Sequence, residues 1–174
     1  VTDPADLEQP LILTATMEDA AFERFDTQRR AFFPPERNHL QAHITLFHHL
    51  PGMRLEAIKT QLEEIARRTS SISVEVTGLR SLGRGVAYRL QAPRLEDLRA
   101  ELRTLWLEEL TEQDRARIKP HVTVQNKVAP DVARETLAIL EATFQPWTFQ
   151  VTGLGLWRYL GGPWASLETF KFTA

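Results

Sequence analysis

A chain of 174 residues with 43% hydrophobic and 25% charged residues has the composition of a globular protein with a full core. No apolar run approaches the ~18 residues of a membrane span, and no charged-then-apolar leader opens the sequence. The absence of Cys removes disulfide and thiolate chemistry and fits the cytoplasm. The net charge of −2 argues against broad binding to long nucleic acid but leaves room for a pocket that takes one phosphate.

Thr2 to Gln9 is polar and reads as a loose terminus. Leu11 to Thr16 reads as a strand, and Glu18 to Phe33 as a helix with Phe22, Phe25, Phe32 and Phe33 at apolar positions, ended by Pro34-Pro35. A strand follows from Ala42 to about His49 and is broken by Pro51-Gly52. Leu55, Ile58, Leu62 and Ile65 mark one face of an amphipathic helix, and Ile72 to Leu79 a strand that ends in Val-Thr-Gly-Leu.

The second half repeats this order. Val86 to Gln91 is a strand, and Pro93 opens a helix with Leu95, Leu98, Leu102 and Leu105 on one face. A charged connection, Thr111 to Lys119, leads to a strand at His121, then to a helix from Pro130 carrying Ala133, Leu137, Leu140 and Phe144. Phe149 to Tyr159 is a strand containing a second Val-Thr-Gly-Leu at Val151. Gly161-Gly162-Pro163 turns the chain into a last strand, Ala165 to Phe172.

Each half carries one histidine motif, His43-Ile44-Thr45-Leu46 and His121-Val122-Thr123-Val124. Period-two alternation puts His and Thr on one face of a strand and the apolar residues on the other. One strand His beside a Thr is commonly a satisfied surface residue; two copies at matched repeat positions converge on one groove if the halves face each other. Two imidazoles, which titrate near neutral pH, suit a general base and a general acid, and two hydroxyls suit donation to oxygens that gain charge. A zinc site needs three or four ligands, and neither strand adds a neighbouring Asp, Glu or Cys.

The two His-x-Thr strands, Pro51-Gly52, the run Lys119-Pro120-His121-Val122-Thr123-Val124-Gln125-Asn126-Lys127 and Gly161-Gly162-Pro163-Trp164 resemble the two-histidine phosphoesterase superfamily, in particular its 2′-5′ RNA ligase-like branch. Alternating strands and helices alone point to a parallel α/β sheet. The resemblance implies instead a bilobal α+β fold, with an antiparallel sheet in each lobe, flanking helices and a central cleft. A single bilobal domain is expected over residues 1–174, with pseudo-repeats at about 10–82 and 85–160 and a final hairpin strand at 164–172.

The resemblance also implies cleavage of 2′,3′-cyclic phosphates at RNA ends or on nucleotides without metal, or 2′-5′ ligation; no cofactor is expected, and the chain is expected to act as a monomer away from membranes. Another small cyclic or 2′-5′ phosphodiester, or a non-catalytic module for RNA ends or nucleotides, are the alternatives. His43, Thr45, His121 and Thr123 are the expected catalytic residues. Two equivalent motifs do not say which imidazole is the base; the resemblance favours the second. Gln125, Lys127 and Phe47 share the parity of the motif residues and are expected to contact substrate, with Arg84 between two glycines and Tyr159 near the last turn. Trp157 is a candidate for the groove rim beside Tyr159, whereas His39, His48 and His49 read as exposed loop or strand-end residues.

Overall fold

The computed structural model describes residues 8–174, so most of the expected loose terminus lies outside the described residues. The elements follow the order read from the sequence. The first half is β1 (Leu11–Met17), α1 (Asp19–Phe32), β2 (Ile44–Leu50), α2 (Leu55–Arg67) and β3 (Ile72–Ser81). The second is β4 (Val86–Gln91), α3 (Pro93–Trp106), β5 (His121–Gln125), α5 (Pro130–Thr143) and β6 (Trp147–Tyr159), closed by β7 (Trp164–Lys171). The charged connection before β5 contains one further short helix, α4 (Glu112–Arg115), whose first turn is capped by Thr111 Oγ1 accepting from Asp114 N–H.

Every strand pairing is antiparallel, in the order β2-β1-β6-β3-β4-β5, with β7 on β6. The alternation of strands and helices misleads here because the strands joined through α1 and α3 (β1 with β2, β4 with β5) pair antiparallel rather than parallel, and those joined through α2 and α5 are not neighbours. Each half's last strand crosses over: β6 pairs with β1 of the first half, and β3 with β4 of the second. The two crossed strands meet each other. Exchanging the two Val-Thr-Gly-Leu copies maps the pair Ile72–Val151 onto Val76–Trp147 and leaves Val74–Phe149 on itself, which marks a pseudo-twofold axis at that pair.

The first helices cross over as well. Phe25 of α1 packs against Tyr88 of β4 and Phe149 of β6, with ring centroids 5.4 and 5.7 Å apart. Trp106 of α3 meets Phe47 of β2 edge-on at 5.3 Å. The sheet curls until β2 and β5, the two ends of its order, approach within 8 Å between Cα atoms.

Both histidine strands carry a register shift at the same place. On β2 it falls between Thr45, opposite Thr14, and Phe47, opposite Leu13. On β5 it falls between Thr123, opposite Ala87, and Gln125, opposite Val86. One extra residue is inserted after each Thr, so the inside–outside alternation slips by one at that point, and β2 carries a further shift between Phe47 and Leu50.

The second shift is held by a close backbone approach. A Cβ built on Gly85 falls 2.0 Å from the Gln125 carbonyl oxygen and 2.7 Å from Asn126 Cα, both backbone atoms that no rotamer change can move away. Gly85→Ala is therefore expected to destabilise the protein by about 1–3 kcal/mol, the usual cost of overpacking. Gly162→Ala, where nothing lies within 4 Å, should stay within about 0.5 kcal/mol. Urea denaturation of the two variants checks the contrast.

Candidate active site

His43 and His121 are set by the same local device. The carbonyl two residues before each histidine meets its ring: His43 Nδ1 lies 2.7 Å from Gln41 O, and His121 Nδ1 lies 2.9 Å from Lys119 O. A carbonyl only accepts, so Nδ1 carries the proton in both rings and Nε2 is left as the acceptor nitrogen. Thr45 and Thr123 are half-buried, and their hydroxyls make no hydrogen bond among the described residues.

The four motif residues come together from opposite lobes. His43 is held down to a pKa of about 4, first by burial and then by the charges of Arg29, His121 and His48. His121 is also pushed below the ordinary imidazole value, by burial and by the charges of Arg80 and His48. Both rings are thus biased towards the neutral form, His43 the more strongly.

Two buried arginines tie the lobes together behind these rings. Arg29 of α1 donates through Nε and Nη2 to Asn38 Oδ1 (3.2 and 3.0 Å), ahead of the first motif, and through Nη1 to Thr123 O (2.9 Å), inside the second. Arg99 of α3 donates to Asp114 O (2.6 Å) and Ala116 O (2.8 Å), ahead of the second motif, and to Leu46 O (3.1 Å), inside the first. Each guanidinium also lies over a phenylalanine, Phe33 or Phe47, at 4.4 Å. Burial pulls the Arg29 pKa down to about 10, so it stays charged at neutral pH.

A cavity of about 370 Å³ opens beside His43, lined by Thr14, Thr16, Phe22, Trp157 and Trp164. It touches His43 and not His121, which lies on the other lobe. Trp164 stacks obliquely on the His43 ring at 4.8 Å and faces Trp157 at 6.0 Å. Trp157 Nε1 donates to Thr14 Oγ1 at 2.9 Å, a contact that Gly155 leaves room for: a Cβ there would sit 2.9 Å from the hydroxyl. A second cavity, of about 320 Å³, shares Trp164 and is lined also by Ile12, His48, His49 and Tyr159.

The inserted residues correct two sequence expectations. Phe47 and Gln125, placed on the groove face by parity, lie one residue past the slip and point into the core instead. Phe47 is fully buried against Trp106 and Arg99. Gln125 is 2% exposed and donates to Thr136 Oγ1 at 2.8 Å. Lys127 and Arg84 are exposed in two turns joined by Val128 N–H to Arg84 O (3.1 Å), and neither lines either cavity. Tyr159 lines the second cavity beside His48.

The same slip places His48 where a simple reading puts an incidental surface histidine. Its Nδ1 lies 3.2 Å from the fully buried Asp114 carboxylate, which also accepts the backbone N–H groups of His48 and His49. Those hydrogen bonds outweigh burial and hold the Asp114 pKa below the ordinary carboxylate value. Trp164 and His39, which also lines the first cavity, are the other residues that sequence reasoning passed over. Among the described residues no group of three or more His, Cys, Asp or Glu is arranged to hold a metal ion, and no helix is long and apolar enough to cross a membrane.

The curled antiparallel sheet with a histidine strand at each end defines a two-histidine phosphoesterase fold. The sequence profile of the 2′-5′ RNA ligase superfamily matches residues 17–163, and the chain belongs to that superfamily. Its fold is similar to that of TT0787 of Thermus thermophilus (TM-score 0.64, 21% identity, covering 95% of this chain and 98% of that one). It is equally similar to E. coli LigT complexed with 3′-AMP (TM-score 0.64, 20% identity, 95% and 99% covered). A more distant likeness is to Kluyveromyces marxianus Usb1 with uridine monophosphate (TM-score 0.50, 13% identity, 97% and 100% covered). No curated protein sequence matches the chain.

The arginine ties generate a test. Arg29→Met removes a buried cation near His43 and leaves the Thr123 carbonyl without its donor. Losing a positive neighbour favours the protonated ring, so the His43 pKa should rise from about 4, read by NMR titration of its imidazole. Stability should fall by about 1.5–3 kcal/mol, the worth of a hydrogen bond to a charged group, read by urea denaturation.

Proposed function

We propose that the protein is a metal-independent phosphodiesterase that opens 2′,3′-cyclic phosphates of RNA ends or nucleotides. The observation that carries this reading is the pair of imidazoles from opposite lobes, each with Nδ1 spent on a backbone carbonyl and Nε2 left for the ligand. In-line opening of a cyclic phosphodiester needs a proton taken from water on one side of phosphorus and another given to the leaving oxygen on the opposite side. Neutral Nε2 does the first and protonated Nε2–H the second.

The unequal pKa values favour His43, the more strongly neutral ring, as base and His121 as acid, the reverse of what the family resemblance suggests. Thr45 and Thr123 donate to the non-bridging oxygens as these gain charge. The aromatic cavity between Trp157 and Trp164 takes the nucleobase. The nucleotides held by LigT and Usb1 in their structures support a nucleotide-sized ligand.

Turnover of 2′,3′-cyclic nucleotides, with product position read by phosphorus NMR, tests the reading directly. The base must be neutral, so log kcat/KM should fall as pH drops through about 4. The acid must be protonated, so it should fall again as pH rises through the lowered pKa of His121, giving a bell centred below 6.5. His43→Ala and His121→Ala should each lose about 10²–10⁴-fold, and EDTA should leave activity intact. Near-wild-type turnover in either variant removes the acid–base assignment, and a wild type that turns over none of these nucleotides leaves a binding module.

A further inference from the structure

The histidine motifs obey the pseudo-twofold axis, but the strands beside them do not. Residues directly opposite in a ladder share a face. In the first lobe the row running inward from Thr45 is Thr45–Thr14–Gly155; in the second its counterpart is Thr123–Ala87–Arg80. The next row in the second lobe is His121–Arg89–Gly78, matched in the first by Thr16–Gly153 beside His43. Two arginines on the second lobe thus replace a glycine and a threonine on the first.

Arg80 is half-buried and Arg89 exposed, and neither guanidinium has a hydrogen-bond or ion-pair partner among the described residues. Arg80 is close enough for its charge to act on His121. The first lobe offers tryptophans at the corresponding part of the groove and no cation on these rows.

We propose that Arg80 and Arg89 form an anion subsite for a second phosphate of the substrate, the internucleotide phosphodiester next to a cyclic end. The site then takes an oligonucleotide in one orientation, base towards Trp157 and Trp164, strand across the second lobe. Arg89 stands one strand from His121, and Arg80 stands two strands from Thr123, roughly 9–10 Å of sheet. That spacing suits a neighbouring phosphate rather than the scissile one, whose oxygens already meet His and Thr from both lobes. Guanidinium forks are matched to phosphate oxygens, which a threonine and a glycine are not.

This inference rests on the phosphodiesterase reading, and the experiment separates the two. Three substrates are compared: 2′,3′-cyclic AMP, the dinucleotide ApA ending in a 2′,3′-cyclic phosphate, and the same dinucleotide with a neutral methylphosphonate linkage. The wild-type kcat/KM should be at least tenfold higher on the charged dinucleotide than on either other substrate. Arg80→Gln/Arg89→Gln should lose that advantage through KM, with a loss at least tenfold larger on the charged dinucleotide than on cyclic AMP; Lys at both positions should restore most of it. A wild type that does not distinguish the charged from the neutral linkage, or an equal loss on all three substrates, overturns the subsite. If the wild type turns over none of them, the phosphodiesterase reading fails, and calorimetry decides the subsite. ApA with a 3′-phosphate should then bind at least tenfold tighter than 3′-AMP, an advantage absent from the double variant, and equal binding overturns it.

Discussion

The antiparallel pairing of β3 with β6 around Val74 and Phe149 is the contact on which the rest of the architecture depends. It joins the last strands of the two halves, and each of these then serves as the inner neighbour of the other half's first strand. Neither half can close its own sheet without the other. The histidine strands are thereby driven to the two ends of the order, and the curl of the sheet brings those ends back towards each other. A groove between two His-Thr pairs is the geometric consequence of this exchange.

Curl alone does not fix the rings to the accuracy that the proposed proton transfer requires. That task falls to the buried arginines, which behave as cross-braces. Each joins the segment ahead of its own half's motif to the backbone of the opposite motif. Because each donates to carbonyls in both lobes, relative sliding of the lobes breaks several charged hydrogen bonds at once. The cost of holding these cations away from water is offset by the carbonyls they satisfy and the phenylalanine faces beneath them.

Much of this was legible in the sequence because it is periodic. The strand and helix order, both His-x-Thr copies and the repeated Val-Thr-Gly-Leu follow from residue spacing, and they stand where that spacing puts them. The strand exchange was not legible, since it depends on long-range pairing that no local pattern encodes. The inserted residues were invisible too. Nothing in Thr45-Leu46-Phe47-His48 distinguishes a regular strand from a slipped one, yet the slip decides that Phe47 is core and His48 faces outward. On β5 the same slip buries Gln125, and Gly85 was the available clue, since a glycine at a strand start often marks close backbone approach. Arg80 and Arg89 escaped notice because their value lies in which row they occupy.

The local settings of the two histidines pose a tension that the proposed chemistry itself resolves. Burial and neighbouring cations hold both rings towards neutrality in the free protein, whereas acid catalysis needs one of them charged. A phosphate between the rings adds negative charge within reach of both, and an opposite charge at such range favours the protonated form. His43 starts far lower, with its ring deep against Trp164 and Arg29 nearby, so the same anion leaves it neutral over a wider range of pH. His121 starts higher and takes the proton first. On the proposed reading a duplicated motif is thereby split into a base and an acid by its surroundings, while the His and Thr of the motif and the backbone-carbonyl contact to each Nδ1 remain the same in both copies.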